Sequence, residues 1–204
     1  MSSMPSESRP YHHGDLRSAL LSSAERTLRD KGAGSLSLRE LAREIGVSHA
    51  APGRHFKDKQ SLLDALALTG FERLSATLQD SDDPALPLEP RITTLARAYL
   101  TFTLDNAALL ELMFARKHAP DASDTAGQLT AAVDRTVGSL ERMLAEAQQR
   151  GEIVDGDPRE LSVTLGAALH GYAVLTANES LDPRTALAGV AALVHHNLHG
   201  LLRR

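Results

Sequence analysis

Apolar residues recur at helical spacing along almost the whole chain, and no alternating run is long enough for a β-strand. That periodicity restricts the fold to the all-α class. Leu16, Leu20, Ala24 and Leu28 line one face in steps of four. Their helix should end at Lys31–Gly32, a cation in the last turn followed by a residue able to enter the left-handed region. Ser37-Leu38-Arg39-Glu40 has the S-x-x-E form of a capping box, hydroxyl and carboxylate each satisfying an orphan amide. It opens a short helix that buries Leu38, Leu41, Ala42 and Ile45 and stops at Gly46. Val47 is apolar and Ser48 is a good N-cap, so a third helix is expected from His49.

Two short helices joined through Gly46-Val47-Ser48, with a longer one before them, make a helix-turn-helix. Charge points the same way. Of 22 Lys/Arg and 26 Asp/Glu in the 204 residues, residues 1–60 carry ten against seven, a net of +3. Twelve against nineteen remain for residues 61–204, a net of −7. A weakly basic start on an acidic remainder suits a polyanion partner for the first part. Cysteine is absent, which excludes thiolate chemistry and disulfides and suits a reducing cytoplasm. Residues 1–10 lack a signal peptide's apolar segment, and no apolar run approaches the ~20 residues needed to span a bilayer. A soluble cytoplasmic protein with no membrane partner is expected.

Asp58 can cap a fourth helix carrying Leu62, Leu66, Gly70, Leu74 and Leu78, which the three prolines and three aspartates of residues 79–90 should end. The domain boundary is expected in this helix, near residue 60, so that the helix is a lever shared by both parts. Five more helices bring the total to about nine. Pro90 suits the first position of one burying Ile92, Leu95, Tyr99 and Phe102. Leu109, Leu110, Met113 and Phe114 belong to a short one ending near Lys117–Pro120. Leu129, Val133, Val137, Leu140 and Leu144 stripe a long one that stops at Gly151. Asp157-Pro158 and Asp182-Pro183 each pair an Asp cap with a proline in the first turn. The last two helices, about 158–178 and 183–202, are apolar on two faces: Leu161, Leu165, Leu169 and Tyr172 on one side of the first, Val163, Ala167 and Val174 on the other. Such helices need cover on most sides. Either a second copy of the chain supplies it, giving a homodimer, or one large monomer core does.

Residues 12–63 resemble the DNA-binding domain of the TetR/AcrR transcription regulators. The resemblance rests on the first helix closing at Lys31-Gly32, on Ser37 to Ala42, on Gly46-Val47-Ser48, and on Arg54-His55-Phe56 followed by Lys59 and Leu62-Leu63. Leu112-Met113-Phe114 and Ala168-Leu169-His170-Gly171 resemble a TetR-type ligand and dimerisation domain named for a Trp-His-Gly motif, with Leu169 in place of the tryptophan. The family implies a helix-turn-helix DNA-binding domain over 1–60, with 1–13 as a flexible arm, and an effector-binding and dimerisation domain over 61–204. It implies a ligand-responsive regulator, a repressor released from a palindromic double-stranded operator by a small apolar molecule.

Carried onto this chain, the resemblance places Ser48, His49, Ala50 and Ala51 against the bases or sugar edges and Ser37 and Arg39 on phosphates. Arg54, His55 and Lys59 hold the flanking backbone, or His55 packs on Phe56. The arm Arg9 to His13 reaches an adjacent groove or is a solvated tail. A subset of the family carries His-Ala-Ala-Pro at residues 49–52. Gly53 departs from the usual tyrosine, which removes a phosphate contact and costs about 1 kcal/mol of helix stability relative to alanine. Weakened or altered DNA binding follows. For the effector, Tyr99, Phe102, Met113, Phe114, Val137, Leu140, Leu169 and Tyr172 are pocket candidates, with Tyr99, His118, His170 and Tyr172 as polar anchors, unless the stripe is plain core.

Two other classes deserve weighing. Gly53 motivates a TetR-shaped protein that has lost operator binding and works through protein contacts. His195 and His199, four apart and next to His196, have spacing that can chelate zinc, but no carboxylate lies in that run and no H-E-x-x-H is present. With no glycine-rich phosphate loop of Walker form and no nucleophile elbow, an enzyme is not expected, nor is a resident metal or cofactor.

Overall fold

The computed structural model describes residues 13–116 and 124–199. Among the described residues there is no strand, and eight α-helices follow in order: α1 (His13–Lys31), α2 (Leu38–Glu44), α3 (Lys59–Ser81), α4 (Leu88–Asp105), α5 (Ala107–Arg116), α6 (Asp124–Gln149), α7 (Pro158–Ala177) and α8 (Pro183–His199). Two 3-10 turns, Ala33–Ser35 and Pro52–Arg54, connect α1 to α2 and α2 to α3. The all-α expectation holds.

The third of the nine expected helices does not form as an α-helix. From His49, its first i to i−4 bond would need an N–H at Pro52, which proline lacks. The Ala51 N–H donates instead to the Ser48 carbonyl at 3.0 Å, and the chain tightens into the 3-10 turn at Pro52–Arg54. The arm expected at 1–13 lies outside the described residues, except that His13 opens α1.

By internal packing the chain divides into two compact units, Met1–Leu66 and Ala67–Arg204. The division falls inside α3, further along it than residue 60. In the first unit Leu20, Ala24, Leu28, Leu41, Ala42 and Phe56 are buried. α1 ends at Gly32, whose φ of 76° lies in the left-handed region as its position predicts. α2 ends in a Schellman motif: the Val47 N–H donates to the Ala42 carbonyl at 2.9 Å and the Gly46 N–H to the Arg43 carbonyl at 3.3 Å, with Gly46 at φ 75°. The capping box expected at Ser37 is absent. Ser37 is extended and makes no side-chain cap bond, and α2 starts on its carbonyl, which accepts from the Leu41 N–H at 3.0 Å. A reciprocal box stands at α3 instead, where Asp58 Oδ1 accepts from the Ser61 N–H at 2.8 Å and Ser61 Oγ from the Asp58 N–H at 3.1 Å.

In the second unit α4 packs against α5, α7 and α8, while α7 packs against α6 and α8. α4 begins at Leu88 with Pro87 as its cap, two residues earlier than expected, so Pro90 sits inside the first turn. That turn's amides have no helical partner, so the proline costs nothing there. Arg91 clamps the segment before α4, donating to both Asp82 oxygens at 2.6 and 2.8 Å. Gly70 of α3 admits Met113 of α5: a Cβ there would lie 2.5 Å from the buried Met113 sulfur. Asp157 and Asp182 cap α7 and α8 as their Asp-Pro pairs predict, accepting from the N–H groups of Arg159 at 2.9 Å and Thr185 at 2.8 Å. No helix among the described residues is long and apolar enough to cross a membrane.

Candidate DNA-binding turn and effector core

The turn after α2 projects its residues because its neighbours are anchored. Pro52 is buried and Phe56 is 2% exposed, with the Arg17 guanidinium 5.6 Å from the centre of its ring. Between and before these two anchors Ser48, His49, Ala50, Gly53 and Arg54 are exposed, and Ala51 and His55 are half-buried. The adjacent Pro52 and Gly53 therefore have separate uses. Proline fixes φ and fills the core, while nothing lies within 4 Å of where a Gly53 Cβ would be. Arg39 is exposed and Ser37 half-buried at the start of α2. Lys59 is partly committed: its ammonium donates to the Gly34 carbonyl at 2.7 Å, tying α3 to the first 3-10 turn. Sequence reasoning missed Arg26, which donates to Glu44 at 2.8 Å and braces α1 on α2. The Arg26 hydrogen bond also holds the Glu44 carboxyl below its ordinary range.

The second unit gathers part of the expected effector set. Tyr99 of α4 lies 2.7 Å from His170 Nδ1 of α7. Burial pushes the Tyr99 pKa up, so the phenol keeps its proton and can donate to the imidazole nitrogen. Phe114 of α5 stacks on His170 with centroids 4.0 Å apart, and Phe71 of α3 lies 6.1 Å from Phe114. Phe102 and Met113 are buried nearby in sequence, and Leu140 and Leu169 are half-buried. Phe71 was not among the expected residues; it lies beside the α3 stripe, next to Gly70.

Two expected members fall outside this group. Val137 is 47% exposed, because it lies roughly 80° round α6 from Leu129 while Ala132, Met143 and Ala147 carry the buried face. Tyr172 is engaged in packing, its hydroxyl donating to the Ala186 carbonyl of α8 at 3.0 Å over Gly189, where a Cβ would sit 2.5 Å from that oxygen. His118 lies outside the described residues. A shallow groove of about 490 Å³ elsewhere in the unit is lined by the end of α6, Ile153 and Val154, the start of α7 and the end of α8, and holds none of the expected residues. At the far end of α8, Glu89 of α4 meets His195 and His199 at 3.0 and 2.9 Å, supplying the carboxylate missing from that histidine run.

A helix-turn-helix with an exposed turn, followed by an all-α unit with an aromatic core, is the build of a DNA-binding transcriptional regulator. Residues 20–66 match the bacterial regulatory proteins of the tetR family, and residues 92–201 match the tetracyclin repressor-like C-terminal domain. The chain is 33% identical over 155 residues to the class C tetracycline repressor protein of Escherichia coli, covering 67% of this chain and 71% of that protein. It superposes on the structure of a protein of unknown function from Rhodococcus sp. RHA1 with TM-score 0.83 and 42% identity, covering 96% and 100% of the two chains. The structure of AibR in complex with isovaleryl coenzyme A and operator DNA shares the fold at TM-score 0.67 and 19% identity, over 87% and 96%. The chain belongs to the TetR family of ligand-responsive, DNA-binding transcriptional regulators.

Proposed function

We propose that this regulator is a homodimeric repressor released from a palindromic operator by a small, largely apolar effector. The observation carrying the DNA reading is the exposure of Ser48, His49 and Ala50 on a turn anchored by Pro52 and Phe56. Alanines there contact thymine methyls, His49 bonds a purine edge, and Arg39, Arg54 and the spare donors of Lys59 hold phosphates. Gly53 and the 3-10 geometry alter the usual docking, so affinity rests more on the backbone contacts.

The exposed apolar residues of α7 support the dimer. Val163 and Leu175 are 57% and 51% exposed, with Ala167 and Val174 also open to solvent. A second copy is the natural cover for them, and two turns about 34–36 Å apart then read successive major grooves. The effector site is built around Tyr99, His170 and Phe114, where apolar walls converge on one polar pair. An effector screen starts with small apolar acids and includes their coenzyme A thioesters, of which only the acyl part is apolar, since AibR, a fold neighbour, is seen with isovaleryl coenzyme A. Effector and operator then oppose each other by about 1–3 kcal/mol of coupling.

Anisotropy of a labelled duplex from beside the chain's own gene, titrated with full-length protein at several salt concentrations, tests the reading. A saturable, competitor-resistant complex with a steep salt slope is expected, dissociating on addition of the effector. Weak binding that competitor DNA abolishes favours instead a TetR-shaped protein acting through protein contacts. Indifference to DNA contradicts both.

A further inference from the structure

α8 brings His195 and His199 one turn apart on one face, their ring centroids separated by 4.5 Å. α4 enters beside them at its first turn, and its Glu89 divides its carboxylate between the two. Oε1 lies 3.0 Å from His195 Nδ1, and Oε2 lies 2.9 Å from His199 Nε2. The three potential ligand atoms all fall within 4.8 Å of one another.

We infer that Glu89, His195 and His199 form a binding site for a divalent transition-metal cation of the zinc class, clipping the start of α4 to the end of α8. Two imidazole nitrogens and one carboxylate are a zinc donor set, and an i, i+4 histidine pair is a helical chelate. Bonds of ~2.0–2.2 Å place ligand atoms roughly 3–4 Å apart around the ion, so small rotations of these exposed rings complete the geometry. Both imidazole nitrogens used, Nδ1 in one ring and Nε2 in the other, are competent ligands in the neutral ring. Three protein ligands leave a position for water or another donor. The chain has no cysteine, so no thiolate competes for the ion. His196 packs edge-on to His195 at 5.6 Å but is not one of the three grouped ligands, which makes it an internal control.

The site is independent of the effector and operator readings. An ion there links α4 to α8 through Glu89 and His195, 106 positions apart in sequence, and favours the folded unit by mass action. The full-length protein, stripped with EDTA and free of any purification tag that binds metal, is titrated with Zn²⁺ against a chromophoric chelator, and its thermal midpoint is followed in parallel. One Zn²⁺ per chain and a raised midpoint are expected. Glu89→Gln, His195→Ala and His199→Ala should each weaken binding by more than about tenfold and abolish the thermal shift, while His196→Ala leaves both unchanged. Co²⁺ should give a d–d spectrum that the same three substitutions remove. All four side chains are exposed or half-exposed, so the apo midpoints of the variants should lie close to that of the parent. Absence of stoichiometric binding, or equal loss from His196→Ala and His195→Ala, overturns the site. Neither outcome bears on DNA or effector binding.

Discussion

The Tyr99 hydroxyl lies 2.7 Å from His170 Nδ1, joining α4 to α7 across 71 positions of sequence. The phenol is buried and the imidazole is capped by Phe114 at 4.0 Å, so the pair is a polar point in an apolar wall. Tyr99→Phe keeps the ring and deletes the O–H. It should lower stability by about 1 kcal/mol in urea denaturation. If the pair also anchors effector, about fivefold more effector is needed to release the DNA complex, a shift read by anisotropy.

Gly53→Tyr tests the departure from the family pattern. Its Cβ meets nothing within 4 Å and the backbone is not left-handed, so the ring enters open space on the exposed side of the turn. The substitution should leave stability, followed by thermal unfolding, unchanged within about 0.5 kcal/mol. DNA affinity should rise several-fold, with a salt slope unchanged within about one phosphate, because a tyrosine hydroxyl adds a hydrogen bond and no charge.

Val163→Asp combined with Leu175→Asp places two carboxylates at exposed apolar positions of α7, about 120° apart round the helix. Both side chains are more than half exposed in the isolated chain, so folding should survive with little change. Sedimentation velocity should show a monomer where the parent is a dimer, since a buried unpaired charge costs several kcal/mol at an interface. A dimer that persists with unaltered affinity contradicts the assignment of this face.

Asp82 and Arg91 make a pH-dependent clamp. The Arg91 guanidinium, donating at 2.6 and 2.8 Å, holds the Asp82 carboxyl below its ordinary range, and both side chains are less than a third exposed. A carboxylate with a depressed folded pKa contributes stability that is present above its unfolded value of about 3.9 and is lost as pH falls through the lower folded value. Asp82→Asn should cost about 1–2 kcal/mol at pH 7 and flatten the acid limb of the stability curve below about pH 4.

Helix ends were legible in the sequence because their chemistry is local. Gly32, Gly46 and Gly151 have positive φ where the stripes stop, and the two Asp-Pro starts are capped as their spacing demands. Local rules also misled. Ser37 and Asp58 both offer capping oxygens, but only Asp58 forms its box, since backbone entry angle decides which oxygen meets an amide. The turn at 49–54 shows the same competition, a good cap at Ser48 losing to the missing amide of Pro52. Contacts between distant helices carried no periodic signal at all. Nothing in the run from His195 to His199 announces Glu89, and nothing near Tyr99 announces His170; helix packing alone brings them together. Val137 marks the limit of stripe reading, because a residue at the edge of a broad apolar face is as apolar as one at its centre.

The affinity of Ala50→Asp for the operator duplex tests the DNA-reading turn most directly. Ala50 is exposed and flanked by exposed His49, so an added carboxylate disturbs no core yet faces the polyanion if this turn enters the groove. Binding at least about a hundredfold weaker, with the thermal midpoint and dimer unchanged, is the predicted result. Operator binding as tight as the parent's would show that DNA is held elsewhere on the chain.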